Sequence, residues 1–143
     1  MPAALLDTNI LLYAISSDPD EAGKRLVARA LLSRTDWGLS IQVLQEFYVN
    51  ATRGGIPAMS HAQAEAAIRQ FLLRPLASND AALMLDALGL EQRYQMSFWD
   101  AAIIAAARVL GAGVVYSEDL NHGQEYGGVR VANPFLGPPR TAS

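Results

Sequence analysis

The chain contains no cysteine, and only two of its 143 residues are histidine. The absence of cysteine excludes a disulfide framework, a zinc–thiolate site and a thiol nucleophile. No apolar segment approaches the roughly 18 residues that a membrane-spanning helix requires. The N-terminus also lacks the basic segment and the small-residue cleavage site of a secretory signal. We therefore expect a cytoplasmic protein with no membrane partner.

Basic residues are few as well. There are 11 Lys and Arg residues against 14 Asp and Glu residues, which gives a formal net charge of −3. Proteins that bind nucleic acid through a broad surface are usually basic, so the charge disfavours that mode of binding. It does not exclude a nuclease that binds phosphates through divalent metals held by carboxylates. In such an enzyme the acidic residues should be concentrated at one site.

The chain has ample apolar sequence, with 51% hydrophobic and 17% charged residues. This composition and length are typical of a single folded domain, which we assign to residues 1–133. Residues 134–143 are rich in proline and glycine. We predict that they form an irregular tail and that the last few of them are disordered.

Short apolar segments alternate with longer segments of helical periodicity. Strands are predicted at residues 3–6, 37–41, 76–78, 113–116 and 129–131. Helices are predicted at about residues 10–16, 19–32, 42–52, 60–73, 80–94 and 97–110. We expect Ser78 or Asn79 to cap the fifth of these helices. The alternation predicts an α/β fold with a mostly parallel central sheet of four to five strands.

Asp7 lies between two apolar segments, AALL at residues 3–6 and ILLYA at residues 10–14. A charge in such a place is costly unless it has a partner or a function. The first segment suits a buried strand and the second suits a helix. Asp7 should therefore stand at the carboxyl end of a central strand, where ligands bind in open α/β sheets. Asp and Thr also cap helices well, so Asp7 or Thr8 could serve only to begin the helix.

Glu46 and Asp100 share this placement beside apolar sequence. Glu46 falls in the first turns of a helix that follows a strand, where the helix dipole alone could explain an acid. Asp100 is the single polar residue from Phe98 to Ala107, and it could complete a capping box with Ser97. A helix that is apolar nearly all round is buried. Asp100 should therefore lie close to the core, at the sheet edge where Asp7 emerges.

Glu118 and Asp119 directly follow the predicted strand at residues 113–116, although a solvated turn would also explain them. Three or four carboxylates at one edge of a sheet repel one another and raise each other's pKa, unless a divalent cation neutralises them. An all-oxygen set with few imidazoles suits Mg²⁺ or Mn²⁺. Such a site could hydrolyse a phosphodiester, and the adjacent Thr8, Asn9 and Ser117 could orient carboxylates or water.

At these residues the chain resembles a PIN-domain ribonuclease, in particular a VapC-type toxin of a bacterial toxin–antitoxin pair. One matching segment is a helix that contains Gln45, Glu46, Phe47 and Asn50. The others are LLDTNILLYA at residues 5–14, SFWDAAIIAAA at residues 97–107 and VVYSEDLNHGQ at residues 114–124. Together these segments span nearly the whole chain in the expected order.

The resemblance implies cleavage of RNA with Mg²⁺ or Mn²⁺. The metal-binding, catalytic acids would be Asp7, Glu46, Asp100 and Asp119, and the supporting polar groups would be Thr8, Asn9 and Ser117. Asp119 is favoured over Glu118 because Ser117-x-Asp119 fits the family's Thr/Ser-x-Asp spacing, which leaves Glu118 as a supporting residue. The resemblance also implies helices on both faces of the sheet, a homodimer, and a cognate antitoxin that covers the active-site groove.

Arg53 and Arg25 are candidates for contacting RNA phosphates. Arg53 is the better of the two because it lies two turns after Glu46 on about the same helix face. A solvated helix face or helix end is the simpler explanation for both arginines.

The aromatic residues Trp37, Phe98 and Trp99 are interpreted as core residues rather than as surfaces for stacking bases. The alternative to an enzyme is a non-catalytic interaction module with the same fold. Its stability should not respond to metal, whereas a protein with an acidic metal site gains stability when the metal binds.

Overall fold

The computed structural model describes residues 1–55 and 57–136. Its sheet has six strands, which are β1 (Ala4–Leu6), β2 (Trp37–Ser40), β3 (Leu76–Ala77), β4 (Val114–Tyr116), β5 (Glu125–Tyr126) and β6 (Val129–Ala132). The α-helices are α1 (Thr8–Ile15), α2 (Ala22–Leu32), α3 (Ile41–Ala51), α4 (His61–Phe71), α5 (Ala81–Tyr94) and α6 (Phe98–Leu110). A 3-10 turn at Pro19–Glu21 precedes α2, so the helix predicted at residues 19–32 begins with a tighter turn.

The strands lie in the order β3-β2-β1-β4-β6-β5. The first five strands of this order are parallel, and β5 alone runs antiparallel to β6. The β5–β6 hairpin turns through Gly127 and Gly128, whose φ angles of 55° and 90° suit glycine. The predicted α/β fold with a mostly parallel sheet is therefore confirmed, and the two-residue β5 is an addition to it.

β1 is the central strand, and all three of its residues are buried. It pairs with β2 through Ala4 and Trp37 on one side, and with β4 through Leu5 and Val115 on the other. Because successive side chains of a strand point to opposite faces, burial of all three residues means that both faces of the sheet are covered. Because β1 and β4 are parallel, their carboxyl ends lie at the same edge of the sheet.

α6 is the most deeply buried helix, because every residue from 101 to 107 is buried. It lies against β1, β2, β3 and β4, and Gly111 ends it in a left-handed conformation with a φ of 71°. The Phe98 side chain is half-buried and Trp37 is buried, whereas Trp99 is 66% exposed. The interpretation of Trp99 as a core residue was therefore wrong. Trp99 is the second residue of α6, and the core covers residues 101–107 of this helix but not its N-terminal end.

The predicted cap of α5 was also wrong. Asp80, rather than Ser78 or Asn79, is the N-cap, and its Oδ1 accepts a hydrogen bond from the backbone N–H of Leu83 at 2.9 Å. The helix before it, α4, opens with a capping box formed by Ser60 and Gln63.

The chain after β6 is described only as far as residue 136. The backbone N–H of Phe135 donates to Asn133 Oδ1 at 2.9 Å, and the Phe135 ring packs edge-on against Tyr13 with centroids 4.9 Å apart. The rest of the predicted tail, with its predicted disorder, lies outside the described residues. None of the helices found in residues 1–55 and 57–136 has the length and apolar character needed to cross a membrane.

Candidate functional site

Asp7 joins the end of β1 to the start of α1. Its backbone N–H donates to the Tyr116 carbonyl at 3.0 Å, which extends the pairing of β1 with β4 by one residue. Its Oδ1 accepts from the Thr8 backbone N–H at 2.8 Å, so Asp7 is the N-cap of α1. Its Oδ2 accepts from Ser117 Oγ at 2.7 Å. One carboxylate thus caps a helix and reaches across to the strand end beside it.

The Asp7 side chain is a buried acid among other acids. Asp7 is only 7% exposed, and the pKa of its carboxyl group is raised to about 6. Burial is the main cause, while the hydrogen bonds from Ser117 and Thr8 lower the pKa and the negative charges of Asp119 and Glu46 raise it. The charged form of Asp7 is therefore costly in the absence of a cation.

Ser117 links Asp7 to Asp119. Its Oγ donates to Asp7 and accepts from the backbone N–H of Asp119 at 3.1 Å. Asn9 adds a second link, because its Nδ2 donates to Asp119 Oδ2 at 3.0 Å. Its Oδ1 accepts from the backbone N–H of Glu118 at 3.3 Å. The first turn of α1 and the segment after β4 therefore form one polar network.

Glu118 points away from this network. It forms an ion pair with Lys24 at 2.5 Å and accepts from the Tyr13 hydroxyl at 2.6 Å. Burial would raise the pKa of Glu118, but the bonds from Lys24 and Tyr13 outweigh it and hold the pKa below its usual value. Of the two adjacent acids, Asp119 is thus the one that joins the network around Asp7, through its backbone N–H to Ser117 and its carboxylate to Asn9.

Glu46 enters the network from α3. Its Oε2 accepts from Thr8 Oγ1 at 2.8 Å, and its Oε1 accepts from Gln42 Nε2 at 3.1 Å. Gln42 is 7% exposed and also lies 3.4 Å from the Trp99 carbonyl. We did not single out Gln42 from the sequence. The available signal was a polar side chain in an apolar first turn, one helical turn before an acid.

Asp100 lies in the first turn of α6, where its backbone N–H donates to the capping Ser97 Oγ at 3.1 Å. Its side chain is half-buried. Asp100 and Asp119 both line a cavity of about 200 Å³, whose walls include Tyr94, Asn121 and Ser97. Asp100 therefore lines the same cavity as Asp119, whereas hydrogen bonds through Thr8, Asn9 and Ser117 link the other three acids.

The donor set has the chemistry that Mg²⁺ prefers. The four candidate acids offer carboxylate oxygens, and no Lys or Arg of the described residues forms an ion pair with any of them. Across residues 1–55 and 57–136, no three acidic or histidine side chains approach closely enough to form a complete metal-binding cluster. Mg²⁺ in proteins typically takes one or two carboxylates and completes its shell with water and substrate phosphate. The residues thus fit a hydrated ion rather than a closed cage.

Among the described residues, neither candidate arginine forms an ion pair with one of the acids. Arg25 Nη1 donates to the Ser16 carbonyl at 2.9 Å, just after the end of α1, where basic side chains commonly satisfy free carbonyls. Arg53 is exposed and follows the end of α3 at Ala51. The expectation that Arg53 shares a helix face with Glu46 was therefore wrong, because the helix ends before it.

The fold is similar to that of several solved proteins. A toxin–antitoxin complex from Klebsiella pneumoniae aligns with a TM-score of 0.68 at 20% identity, over 92% of this chain and 97% of that chain. The Sarcin-Ricin loop cleaving toxin VapC20 of Mycobacterium tuberculosis aligns with a TM-score of 0.64 at 24% identity, over 81% and 89%. A DNA-bound VapBC from Salmonella typhimurium aligns with a TM-score of 0.64 at 20% identity, over 94% and 99%.

Family membership follows from the sequence itself. No curated protein matches the chain. The PIN domain family matches residues 4–124, a range that runs from the first residue of β1 to the segment after β4 and contains Asp7, Glu46, Asp100 and Asp119. The resemblance inferred from the motifs is thereby confirmed at the level of the family, and the chain belongs to the PIN domain family.

Proposed function

We propose that this protein is a ribonuclease that hydrolyses RNA phosphodiester bonds with Mg²⁺ or Mn²⁺. The observation that carries the proposal is the network around buried Asp7. Acids from three separate elements, β1, α3 and the segment after β4, are joined there through the hydroxyls of Thr8 and Ser117 and the amide of Asn9. PIN domain nucleases generally use divalent metals, and the oxygen donors here fit such an ion.

Each residue of the site has a distinct role in this proposal. Asp7, Glu46, Asp100 and Asp119 would hold the metal. When bound, the ion would polarise the phosphodiester and lower the pKa of an attacking water. Thr8 and Gln42 fix the two oxygens of Glu46, and Asn9 fixes Asp119. Because these donors are neutral, they orient the carboxylates without cancelling the negative charge that attracts the cation.

We also propose that the protein is the toxin of a toxin–antitoxin pair in the cytoplasm. Support comes from the similar structures, two of which are a toxin–antitoxin complex and a DNA-bound VapBC. A homodimer and a bound antitoxin would cover large apolar side chains that are exposed in the single chain, which include Leu26, Leu73 and Leu85 at 69%, 79% and 69%. Residues 1–133 would form the whole nuclease domain.

The test is cleavage of RNA by the purified protein in Mg²⁺, Mn²⁺ or EDTA. We expect cleavage with either metal and none in EDTA. Asp7→Asn and Asp100→Asn should each lower the rate at least about a hundredfold, since both remove charge that would stabilise the metal. Glu65→Gln is the matched control, because Glu65 is an exposed acid on α4 that pairs with His61 and Arg69 of the same helix.

The same samples separate the enzyme from a non-catalytic module. Titration with Mg²⁺ or Mn²⁺ should raise the unfolding temperature of the wild type and of Glu65→Gln, and it should leave that of Asp7→Asn almost unchanged. Cleavage that persists in EDTA, or in both site variants, would contradict the proposed mechanism. A wild-type unfolding temperature that is indifferent to metal would favour the interaction module.

A further inference from the structure

We propose that an apolar pocket beside the acids binds an unpaired base of the RNA, with Trp99 as its stacking surface. The pocket has a volume of about 230 Å³ and is lined by Leu83, Met84, Phe98, Trp99, Gln42 and Asn79, among other residues. We call it the aromatic pocket. The inference rests on the proposed function, since it takes RNA as the ligand, and it adds to that function a binding site for one base of the RNA.

Trp99 is unusually exposed for its size and surroundings. It is 66% exposed in the first turn of α6, a helix in which residues 101–107 are buried. Its ring packs edge-on against Phe98, with centroids 5.4 Å apart, so the Phe98 ring supports one edge of the indole. A rigid, exposed indole of this kind stacks on nucleobases in many proteins that bind single strands.

The aromatic pocket is continuous with the acidic network. Gln42 lines the pocket, donates to Glu46 Oε1 at 3.1 Å and lies 3.4 Å from the Trp99 carbonyl. Asp100 directly follows Trp99 in α6 and lines the cavity that it shares with Asp119. A phosphate held at the acids would therefore present a neighbouring base to the indole.

The lining of the aromatic pocket favours a base over a phosphate. None of the described residues that line it is basic, and most of the lining is apolar. Asn79 is exposed at the rim, where its amide can both donate and accept, as the edge of a base requires. A base can enter such a pocket only when it is unstacked, which occurs in single strands, loops and bulges. The ligand inferred for the aromatic pocket is thus one unstacked base of the RNA strand.

The experiment is binding of a short 2′-O-methyl RNA in EDTA, compared with an abasic strand of equal length and charge. Tryptophan fluorescence reports the site, because Trp37 is 5% exposed and Trp99 is 66% exposed. We expect saturable quenching by the first strand and none by the abasic one. Absence of saturable quenching, or equal quenching by both strands, would overturn the proposal.

Variants then locate the contact, with affinity measured by anisotropy of a labelled strand. Trp99→Ala should weaken binding roughly tenfold, the effect expected from losing one stacked base, and Trp99→Phe should weaken it less. Val109→Ala is the control, since Val109 is an exposed apolar residue of the same helix, α6, that does not line the pocket. Unchanged affinity in Trp99→Ala would overturn the proposal. If Trp99→Ala fails to fold, Trp99→Phe and the abasic comparison decide.

Three further outcomes are distinguishable. Trp99 fluorescence that changes with protein concentration in the absence of RNA would show that a second copy of the chain covers the pocket, and the proposal would fail. If base-dependent binding is present but metal-dependent cleavage is absent, the nuclease function fails while the base pocket stands. If cleavage is present and binding does not depend on bases, the pocket proposal alone fails.

Discussion

Ser117 is the residue on which the acidic network depends most. It is fully buried, and its single hydroxyl donates to Asp7 Oδ2 while accepting from the backbone N–H of Asp119. A serine can do both, because one hydroxyl carries a donor and two acceptor sites. The residue therefore sets the relative position of the two strand-end acids without adding charge to a site that already holds several carboxylates.

Replacing Ser117 with alanine should destabilise the protein and reduce cleavage. The change leaves a buried carboxylate oxygen of Asp7 and a partly buried N–H of Asp119 without their partner, which costs about 1–3 kcal/mol. Urea unfolding measures this loss. Ser33→Ala is a matched control, since the Ser33 hydroxyl donates only to the Ala30 carbonyl on the surface. Equal unfolding free energies for the two variants would contradict the role given to Ser117.

At the level of elements, Lys24 connects α2 to α1 and to the segment after β4. It is the single lysine of the chain and projects from α2. Its Nζ lies 2.5 Å from Glu118 Oε2, 3.1 Å from the Tyr13 hydroxyl and 4.7 Å from the centre of the Tyr13 ring. Glu118 is thereby held against α1 and α2, and the adjacent Asp119 is left facing Asn9. Lys24 is in this sense a positioning residue for Asp119.

Lys24→Met should loosen the segment after β4 while leaving the sheet intact. Methionine keeps the length of the side chain but loses the ion pair and the hydrogen bond to Tyr13. We expect faster amide hydrogen exchange at Glu118 and Asp119, unchanged exchange in β1, and a higher metal concentration for half-maximal cleavage. Arg69→Met is the control, because Arg69 pairs with Glu65 on α4. Unchanged exchange at residues 118–119 would refute the positioning role.

The elements differ in how much of them could be predicted from sequence. Asp7 was recognisable because a charge between two apolar segments is visible without a structure, and α6 was recognisable because its sequence is apolar all round. Gln42 was missed, since its partners lie one turn away on Glu46 and on another helix. The exposure of Trp99 depends on how α6 packs against the neighbouring elements. The sequence of an apolar helix does not show which of its ends the rest of the fold leaves uncovered.

At the scale of the whole molecule, the buried acid makes stability depend on pH. The pKa of Asp7 in the folded protein is about 6, above its usual value of 3.8, so the folded state binds this proton more tightly than the unfolded state. As the pH rises from about 4 to about 6, the metal-free protein should lose up to about 3 kcal/mol of stability from this group. Above that range the loss stays constant.

Asp7→Asn tests this pH dependence, because asparagine cannot ionise and caps helices as well as aspartate does. In EDTA, the unfolding free energy of the variant minus that of the wild type should increase between about pH 4 and pH 6 and then level off. Urea unfolding at several pH values measures the difference. Added Mg²⁺ should reduce it above pH 6 by stabilising the wild type alone. Parallel curves for the two proteins would contradict the prediction.

The sheet order has a consequence for when the proposed nuclease can first act during synthesis. β1 emerges first from the ribosome, but its neighbour β4 and the segment that follows come at the other end of the chain, and 110 residues separate Asp7 from Ser117. A nascent chain that stops before residue 117 lacks both the hydroxyl that holds Asp7 and the acid at Asp119. A translation product that ends before this segment would therefore lack the proposed activity, which requires synthesis to have passed residue 119.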